Sequence, residues 1–538
     1  MKLRDSLKSR ILFPGVATLM ALACGAWQVS TAQGPLAARE SRGRQIYFHG
    51  TSPSEKAILA YLGDSSLEVP GSSMACANCH GMDGRGKPEG GVIPSNITWE
   101  ALTKPYGVTH PSGRKHPAYT NRGIELALTR GLDPAGNKLL GVMPRYSMSR
   151  EDMADLVLYL ARLGKDIDPG IHESKIVIGT LVPAQGSLAE MGQVIKAVTA
   201  GVFADVNAAG GIYHRRLELS VAETAETPAA TRANLERSFT AEPFFAMTGA
   251  FIAGAENEVL PFSTEKEVPL IGPFTLFPRT GAALNSRVFY LLSGIDDQSR
   301  AVIEFAAKNP EIKGGGVAVV YPQNENSKAV FEAIQRQTKA AGLADAQPFG
   351  YVAGTFDSVE TLRKVRQAKR EAVLFFGSGE DALAFMREAE KSGWFPFIFL
   401  SSTTPIKEIF NAPAGFDGRL FMAFSTSPDA QSAQGLAEFG AFSAKHKLPS
   451  GHPATQILAY SAAKLLVEAL KRAGKDLSRE KLIEALDGFY EYQTGLTPPI
   501  TYGPNRRIGA MGAYVITINL KEKKFVPASG WIGLGQPK

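Results

Sequence analysis

The segment Cys76-Ala-Asn-Cys79-His80 constrains this chain more than any other feature of its sequence. The 538 residues contain only three cysteines, and two of them stand here with a histidine directly after them. A C-x-x-C pair occurs in zinc sites, in dithiol redox centres and in covalent haem attachment. A structural zinc site needs further Cys or His ligands nearby, and the sequence has no second pair. A dithiol redox motif needs a strand–helix–strand setting, whereas this pair lies between the glycine-containing segments 69–73 and 81–91.

Covalent haem attachment fits every residue of the motif. In a C-x-x-C-H sequence, the two thiols bond to the haem vinyl groups and the histidine binds the iron. We therefore predict one haem c per chain, attached through Cys76 and Cys79, with His80 as the proximal iron ligand. A haem that only carries electrons generally has a sixth ligand on its other face.

Two of the three methionines that follow the motif are assigned to packing. Ser149 is predicted to cap a helix, with Asp152 completing a capping box. Met153 falls on the apolar stripe of that helix and is assigned to the core. Met148 precedes the cap at the spacing of a hydrophobic staple, so it is also assigned to packing.

Met143 is the predicted sixth ligand. It lies in a loop after Gly141 and is followed by Pro144, which leaves its side chain free to face a haem. The rival ligands are His110 and His116, which stand in a polar loop where we expect them to be solvated.

Several segments between residues 40 and 164 resemble a class I cytochrome c domain. The resemblance rests on residues 43–50, the haem motif, residues 143–149 and the helix at 152–164. It implies an all-α domain in which the first and last helices cross, here through Ile46, Tyr47 and Tyr159. The long stretch from Thr51 to Ser73 departs from the family pattern, in which the first helix and the haem motif are much closer.

The first 32 residues are typical of a cleavable export signal. Four basic residues precede the apolar run from Ile11 to Trp27, and small residues follow before Gln33. One alternative is a permanent membrane anchor, which Pro14 and the shortness of the run disfavour. Another is lipoprotein processing at Cys24, which the preceding residues fit poorly. We expect a periplasmic protein, because covalent haem attachment takes place outside the cytoplasm.

The charge of the chain gives no indication of a nucleic-acid partner. The formal net charge is +6 at pH 7, and removal of residues 1–32, with four basic residues and one acidic residue, lowers it to +3. The sequence has no run of Lys and Arg with interleaved aromatic residues. Its length exceeds what one core generally supports, so at least two domains are expected.

Beyond a polar linker at 165–174, apolar strands alternate with helices. This alternation predicts parallel, doubly wound sheets, whose ligand sites lie at the carboxyl ends of their strands. Strands are predicted at 175–183, 215–223, 314–322, 371–377 and 395–402, and helices at 188–211, 227–239, 326–342 and 381–393.

One candidate cofactor motif lies in this half of the chain. Residues 377–382 match G-x-G-x-x-A between a strand and a helix. The acidic residue expected about twenty positions later is missing, so a nicotinamide cofactor is not predicted.

The order of these elements resembles the periplasmic ligand-binding proteins of branched-chain amino-acid ABC transporters, which include leucine-binding proteins. The segments that carry the resemblance are 178–219, 268–278 and 497–518, and it covers about residues 175–530. It implies two α/β lobes, joined by crossing segments, that close on a small solute.

The amino-acid clamp of that family does not carry over intact. Thr275 matches the position of a threonine that contacts the ligand, but the loop at 248–256 lacks the serines that bind a carboxylate. The positions of a tyrosine and an acidic residue fall on phenylalanines and serines. Since a buried zwitterion needs charged or polar partners, we expect a ligand other than a standard amino acid, in an apolar or aromatic pocket. The candidate contact residues are Phe251, Thr275, Phe375, Phe376, Ser378, Glu380 and Ser402.

These observations predict an exported electron carrier joined to a solute-binding domain, without catalysis of its own. The expected partners are a small-molecule ligand and a redox protein such as a periplasmic dehydrogenase. One alternative is a haem-dependent oxidoreductase acting on the bound solute, which ligation by Met143 disfavours because no iron position stays open. Another is a transport receptor that works with an ABC permease and has a redox-sensing cytochrome. The predicted architecture is a signal peptide (1–32), an all-α cytochrome c domain (40–164), a linker (165–174) and a two-lobed α/β domain with parallel doubly wound sheets (175–530).

Overall fold

The chain divides into two compact units, residues 1–166 and 167–538. A computed structural model describes residues 38–535 except 53, 55, 64–65, 82, 87–90, 111, 166, 281–286, 403–405 and 427–430. The predicted signal peptide at 1–32 lies outside the described residues. None of the helices described is both long enough and apolar enough to span a membrane.

The first unit is built mainly from helices. They are α1 (Ala38–His49), α2 (Cys76–His80), α3 (Trp99–Leu102), α4 (Asn121–Arg130) and α5 (Arg150–Leu160). Its short strands are β1 (Leu59–Leu62), β2 (Leu67–Pro70), β3 (Val108–Thr109), β4 (Lys115–His116) and β5 (Arg145–Ser147). Strands β2, β1 and β5 form an antiparallel sheet, which the all-α prediction did not include because strands this short give little alternation.

Helices α1 and α5 cross closely, as predicted. Gly43 permits the approach, because a Cβ atom at this position would lie 2.0 Å from the Asp155 carbonyl oxygen. The rings of Tyr47 and Tyr159 lie with their centroids 5.9 Å apart, and both side chains are almost fully buried. Ile46 is buried in the same core.

Helix α5 begins after the predicted N-cap. Ser149 Oγ accepts a hydrogen bond from the Asp152 backbone nitrogen at 3.0 Å. The Asp152 carboxylate accepts from the Ser149 hydroxyl at 2.6 Å and from the Ser52 hydroxyl at 2.8 Å. These two bonds replace the bond to the Ser149 backbone nitrogen that a capping box would contain. Met153 is buried in the core, as predicted.

The second unit alternates strands and helices along most of its length. Its strands are β6 (Lys175–Val182), β7 (Arg216–Glu223), β8 (Ala246–Thr248), β9 (Leu270–Ile271), β10 (Val288–Leu292), β11 (Val317–Pro322), β12 (Gln347–Tyr351), β13 (Ala372–Phe375), β14 (Phe397–Leu400), β15 (Leu420–Phe424), β16 (Ile508–Ala510), β17 (Gly512–Asn519), β18 (Lys524–Pro527) and β19 (Ile532–Gly533). Its helices are α6 (Ala189–Ala208), α7 (Pro228–Ala241), α8 (Glu256–Glu265), α9 (Ile295–Ala306), α10 (Pro310–Gly315), α11 (Glu325–Ala340), α12 (Ser358–Gln367), α13 (Gly379–Lys391), α14 (Ile406–Ile409), α15 (Ala433–His446), α16 (Pro453–Ala473) and α17 (Arg479–Asp487).

These strands form two sheets, one in each lobe. The first sheet has the order β16-β10-β9-β8-β6-β7, and all its pairs are parallel. The second has the order β12-β11-β13-β14-β15-β17-β18, with β17 antiparallel to β15, β18 and β19. Buried apolar side chains cover both faces of each sheet. The prediction of a two-lobed α/β fold with doubly wound parallel sheets is confirmed, and the antiparallel edge is an addition to it.

Two described segments cross between the lobes side by side. One runs from β10 into α9, and the other joins β16 to β17. The Ser293 hydroxyl lies between them, donating to the Ala510 carbonyl oxygen at 3.0 Å and accepting from the Gly512 backbone nitrogen at 2.7 Å. A single side chain therefore joins the two crossing segments.

The second unit begins inside the predicted linker at 165–174. Asp168 Oδ2 accepts a hydrogen bond from the Arg479 backbone nitrogen at 2.6 Å, and Ile171 is buried in the core of this unit. The Arg479 guanidinium is itself buried and donates to the Phe244 and Phe245 carbonyl oxygens. Residues from Asp168 onward are therefore packed on the second unit.

Candidate functional site

The haem motif forms the short helix α2. Cys76 and Cys79 lie three residues apart on it, so their side chains share one face, and both thiols are free. His80 is buried, and its Nδ1 donates to the Ser95 carbonyl oxygen at 2.9 Å. This hydrogen bond fixes the tautomer, because a carbonyl oxygen only accepts, and it leaves Nε2 with a lone pair for a metal ion. Burial also lowers the pKa of His80, which favours the neutral ligand form.

The environment of Cys76 suits a thioether better than a thiolate. Burial raises the pKa of this thiol to about 11. A zinc ligand must be deprotonated, whereas a sulfur bonded to a haem vinyl carbon is neutral and apolar. Within the described residues there is no group of three or more His, Cys, Asp or Glu side chains that could hold a metal ion. The donor set therefore fits a covalently attached haem.

Met143 and Met148 are both half-buried against the core of the first unit. Met143 lies in a turn in which its backbone nitrogen donates to the Leu140 carbonyl oxygen at 2.9 Å, and buried Pro144 follows it. The burial of the two methionines is alike, so the assignment of Met143 to the iron remains a prediction.

His116 is buried, contrary to the prediction, and His110 is half-buried beside it. His116 is 7% exposed, and its Nε2 lies 2.9 Å from His110 Nε2. Arg114 donates to His110 Nε2 at 2.9 Å and to Asp133 Oδ2 at 2.7 Å. Burial and the neighbouring cation lower the pKa of His110. The pairing of β3 with β4 brings the two imidazole rings together. The polar composition of the loop did not indicate this contact.

The loops that follow β8 and β9 lie side by side at the carboxyl edge of the first sheet. Phe251 forms a parallel bridge with Phe274, and Thr275 comes next along the chain. Thr275 Oγ1 donates to Glu256 Oε1 at 2.6 Å and accepts from the Phe277 backbone nitrogen at 3.0 Å. The Thr275 hydroxyl thus both donates and accepts a hydrogen bond, and the Glu256 carboxylate lies beside it.

Glu256 is the residue of this edge that the sequence analysis did not select. It is 8% exposed, and its Oε2 accepts from the Gly254 backbone nitrogen at 2.9 Å. It begins α8 directly after the loop at 248–256, and an acidic residue in the first turn of a helix that follows a sheet edge was the available signal.

The carboxyl edge of the second sheet holds two of the predicted contact residues. Phe376 follows β13 and Ser402 follows β14, and both line a small cavity. Gln298 and Ser299, from the first turns of α9, line the same cavity. The edge is thus apolar with a few hydroxyl and amide groups.

Three other predicted contact residues do not line this cavity. Phe375 is 1% exposed and packs in the core, with its ring 5.5 Å from that of Phe356, because successive side chains of a strand face opposite ways. Ser378 caps α13 by accepting from the Asp381 backbone nitrogen at 3.1 Å. Glu380 is exposed in the first turn of that helix. Phe375 is therefore a core residue, whereas the assignment of Ser378 and Glu380 as ligand contacts remains a prediction.

Comparisons with known proteins agree with both units. Residues 175–524 match the family model of the periplasmic binding proteins, and residues 72–164 match the model of cytochrome c. The chain belongs to the periplasmic binding protein family. It carries a cytochrome c domain ahead of its binding domain, which implies covalently bound haem c.

An amino acid binding protein of Pseudomonas aeruginosa is 25% identical over 218 residues, which are 40% of this chain and 58% of that relative. The match thus spans little more than half of the relative. A fatty acid ABC transporter substrate-binding protein from Thermomonospora curvata has a TM-score of 0.54 at 18% identity, covering 68% of this chain and 94% of the other. A branched-chain amino acid ABC transporter protein from Thermus thermophilus with bound valine has a TM-score of 0.53 at 18% identity, covering 68% and 97%. At these identities the solved structures show the fold alone.

Proposed function

We propose that this protein is an exported electron carrier with one haem c, joined to a domain that binds a small solute without a carboxylate group. The observation that carries the proposal is the hydrogen bond from Thr275 to Glu256. The haem part rests on the donor set of Cys76, Cys79 and His80.

The first unit supplies electron transfer in this proposal. The sequence contains one C-x-x-C-H motif, which corresponds to one haem per chain. Cys76 and Cys79 would hold the group covalently, and His80 and Met143 would bind its iron. Haem held by these two side chains would supply electron transfer and would leave no iron position for oxygen or solute. The protein is therefore proposed to have no catalytic activity of its own.

The second unit selects its ligand by charge. The similar proteins described above are named for amino acids and a fatty acid, which all carry a carboxylate. Here the Thr275 hydroxyl already donates to Glu256, so a ligand carboxylate would meet an occupied donor and a negative charge. Two carboxylates about 4 Å apart repel by roughly 1–4 kcal/mol at effective dielectric constants of about 80–20. Phe251 and Phe376 suit the apolar body of a neutral ligand such as an alcohol.

The two units together place an electron acceptor on the same chain as a solute site. A tether raises the effective concentration of each module for the partner of the other. We propose that the haem accepts electrons from a periplasmic dehydrogenase, and that the solute belongs to the same metabolism as the substrate of that enzyme. Export is part of the proposal, since both domain families are typical of the periplasm.

The experiment that tests the ligand class uses pairs of compounds with the same body and different charge. Thermal unfolding of the second unit is followed in the holoprotein with L-leucine against 3-methylbutan-1-ol, and with L-phenylalanine against 2-phenylethanol. A ligand that binds only the folded form raises the melting temperature as its concentration exceeds Kd. We expect a rise with an alcohol and none with either amino acid. A rise with leucine that disappears in Thr275→Ala would show that the amino-acid site of the family is retained.

A further inference from the structure

Strands β1 and β2, within the long stretch between α1 and the haem motif, form a hairpin that contacts the Met143 loop. Strands β1 and β2 pair from Leu59↔Pro70 to Leu62↔Leu67. The other edge of β1 pairs with β5, with Leu59 opposite Ser147 and Tyr61 opposite Arg145. Strand β5 begins only two residues after Met143. The hairpin is therefore joined to the chain immediately C-terminal to the proposed iron ligand.

The tip of the hairpin contacts the same loop on the N-terminal side of Met143. The Gly63 backbone nitrogen donates to the Gly141 carbonyl oxygen at 3.3 Å. The Arg145 guanidinium donates to the Gly63 carbonyl oxygen at 3.0 Å and to Ser66 Oγ at 2.8 Å. Backbone contacts with the hairpin thus lie within two residues of Met143 on both sides.

The sheet also reaches the haem motif. Tyr146 in β5 is 6% exposed and its hydroxyl donates to the Met74 carbonyl oxygen at 2.6 Å, two residues before Cys76. Ala60, opposite Tyr146 on β1, is fully buried. The chain near the proposed distal ligand is therefore connected through β5 to the chain that carries the thiols.

We propose that strands β1 and β2, together with Gly63 and Ser66, form a clamp that holds Met143 on the haem iron, and that Arg145 is a positioning residue of this clamp. The proposal rests on the proposed function, in which Met143 is the sixth ligand. A loop opens at a rate and to an extent set by its own contacts rather than by the stability of the whole domain. The clamp lowers the fraction of molecules in which the loop is open and the iron is accessible to another ligand.

Imidazole reports that open fraction in the full-length ferric holoprotein. It competes with the methionine sulfur for the sixth position, so its apparent affinity is the intrinsic affinity multiplied by the open fraction. Arg145→Ala removes two hydrogen bonds that hold the loop against the hairpin. We expect imidazole to bind about five- to a hundredfold more tightly to this variant. Ser66→Ala removes one of the two bonds and should give a smaller increase, and it serves as the second variant should Arg145→Ala fail to fold.

Two control variants separate positioning from general stability. Arg122→Ala removes an arginine whose salt bridge, to Glu125, lies on an exposed helix surface. Ile46→Val deletes a buried methyl group at the crossing of α1 and α5, and it should lower the melting temperature without changing imidazole affinity. Equal tightening of imidazole binding in Ile46→Val and Arg145→Ala would overturn the clamp, as would unchanged affinity in both Arg145→Ala and Ser66→Ala.

The near-infrared band of a ferric methionine-ligated haem distinguishes failure of this proposal from failure of the proposed function. Absence of that band in the unmodified protein, or its retention in Met143→Ala, overturns the assignment of Met143 and the clamp with it. Its presence in the unmodified protein, with loss in Met143→Ala and no tightening of imidazole binding in the clamp variants, overturns the clamp alone.

Discussion

The backbone nitrogen of Arg479, at the start of α17, donates to Asp168 Oδ2 at 2.6 Å across 311 positions of sequence. This contact attaches the segment that precedes β6 to a helix near the other end of the chain. Ile171, three residues later, is buried beside it. The border of the binding domain thus lies before Asp168 rather than at the first residue of β6.

A fragment that starts at Ile167 should therefore be more stable than one that starts at Lys175. Both should fold without haem, since the haem motif lies wholly in the first unit. The shorter fragment lacks the Asp168 carboxylate that accepts from the Arg479 backbone nitrogen, and it lacks the buried Ile171. We expect its free energy of unfolding to be lower by about 2–4 kcal/mol. Urea denaturation followed by circular dichroism measures the difference. Equal stability of the two fragments would contradict the assigned border.

Replacement of Glu256 by glutamine should admit ligands with a carboxylate. The amide keeps the size of the side chain while the negative charge is lost, and its single oxygen can accept from Thr275 or from Gly254 but not from both. We expect the affinity for leucine to rise about tenfold or more, and the affinity for a neutral alcohol to stay within about threefold. Isothermal titration calorimetry on the holoprotein measures both. A fall in affinity for every ligand would indicate that Glu256 only supports the start of α8.

Gly43→Ala should destabilise the first unit. The added Cβ atom would overlap the Asp155 carbonyl oxygen, and neither helix backbone can move without loss of packing. We expect a loss of about 2–3 kcal/mol, as for other overpacked cores. Gly123→Ala in α4 is the matched control, because the nearest atom to its Cβ would lie 3.5 Å away. Thermal melts of the two holoprotein variants, followed at the haem absorbance, should differ by at least 5 °C.

Met143→Ala and Met148→Ala should differ in spectrum rather than in stability. Both side chains are half-buried against the same core, so each substitution is expected to destabilise the unit by about 1–3 kcal/mol. Only Met143→Ala should remove the near-infrared band of the ferric protein and open the sixth position. Loss of the band in Met148→Ala instead would assign the ligand to that residue.

Asp297 should make the binding unit less stable as the pH rises from about 4 to about 6. Burial, with the negative charge of Asp296 beside it, raises the pKa of Asp297 to about 6 in spite of Arg300 and its salt bridge of 2.8 Å. In this range the folded protein keeps a proton that the unfolded chain has lost, so ionisation favours unfolding.

Asp297→Asn tests this contribution. The melting temperature of the variant minus that of the unmodified protein should increase between pH 4 and pH 6 and stay constant above about pH 7. The salt bridge to Arg300 stabilises the charged form of Asp297, and its effect is already contained in the pKa of about 6. A difference that decreases over the same range would contradict the raised pKa.

The sequence predicted the parts of the fold that rest on local patterns. The alternation of strands and helices and the cap at Ser149 follow from periodicity or from motifs of a few residues. The crossing of α1 and α5 through Ile46, Tyr47 and Tyr159 follows from the resemblance to a class I cytochrome c domain. The hairpin of β1 and β2 was missed, because β1 pairs with β5, which lies 84–88 positions away in sequence.

The candidate site was predicted less completely, for a similar reason. The haem ligands lie in one short motif, whereas the ligand cleft is assembled from strand ends that are distant in sequence. Phe375 and Phe376 face opposite sides of the sheet. An error of one residue in the register of β13 therefore exchanges the core phenylalanine for the one that lines the cavity. The role proposed for Glu256 depends on its hydrogen bond with the Thr275 hydroxyl, nineteen positions later in the sequence. Pairings of this kind have no signature in a single sequence.

Ser293 has a mechanical consequence for the two lobes. Its hydroxyl bonds the crossing segments to each other, not one lobe to the other. The two segments can therefore twist together as one pivot, with the torsion taken up by the backbone on either side of the serine. We therefore expect this pair of hydrogen bonds to stay intact when the cleft opens and closes on a solute.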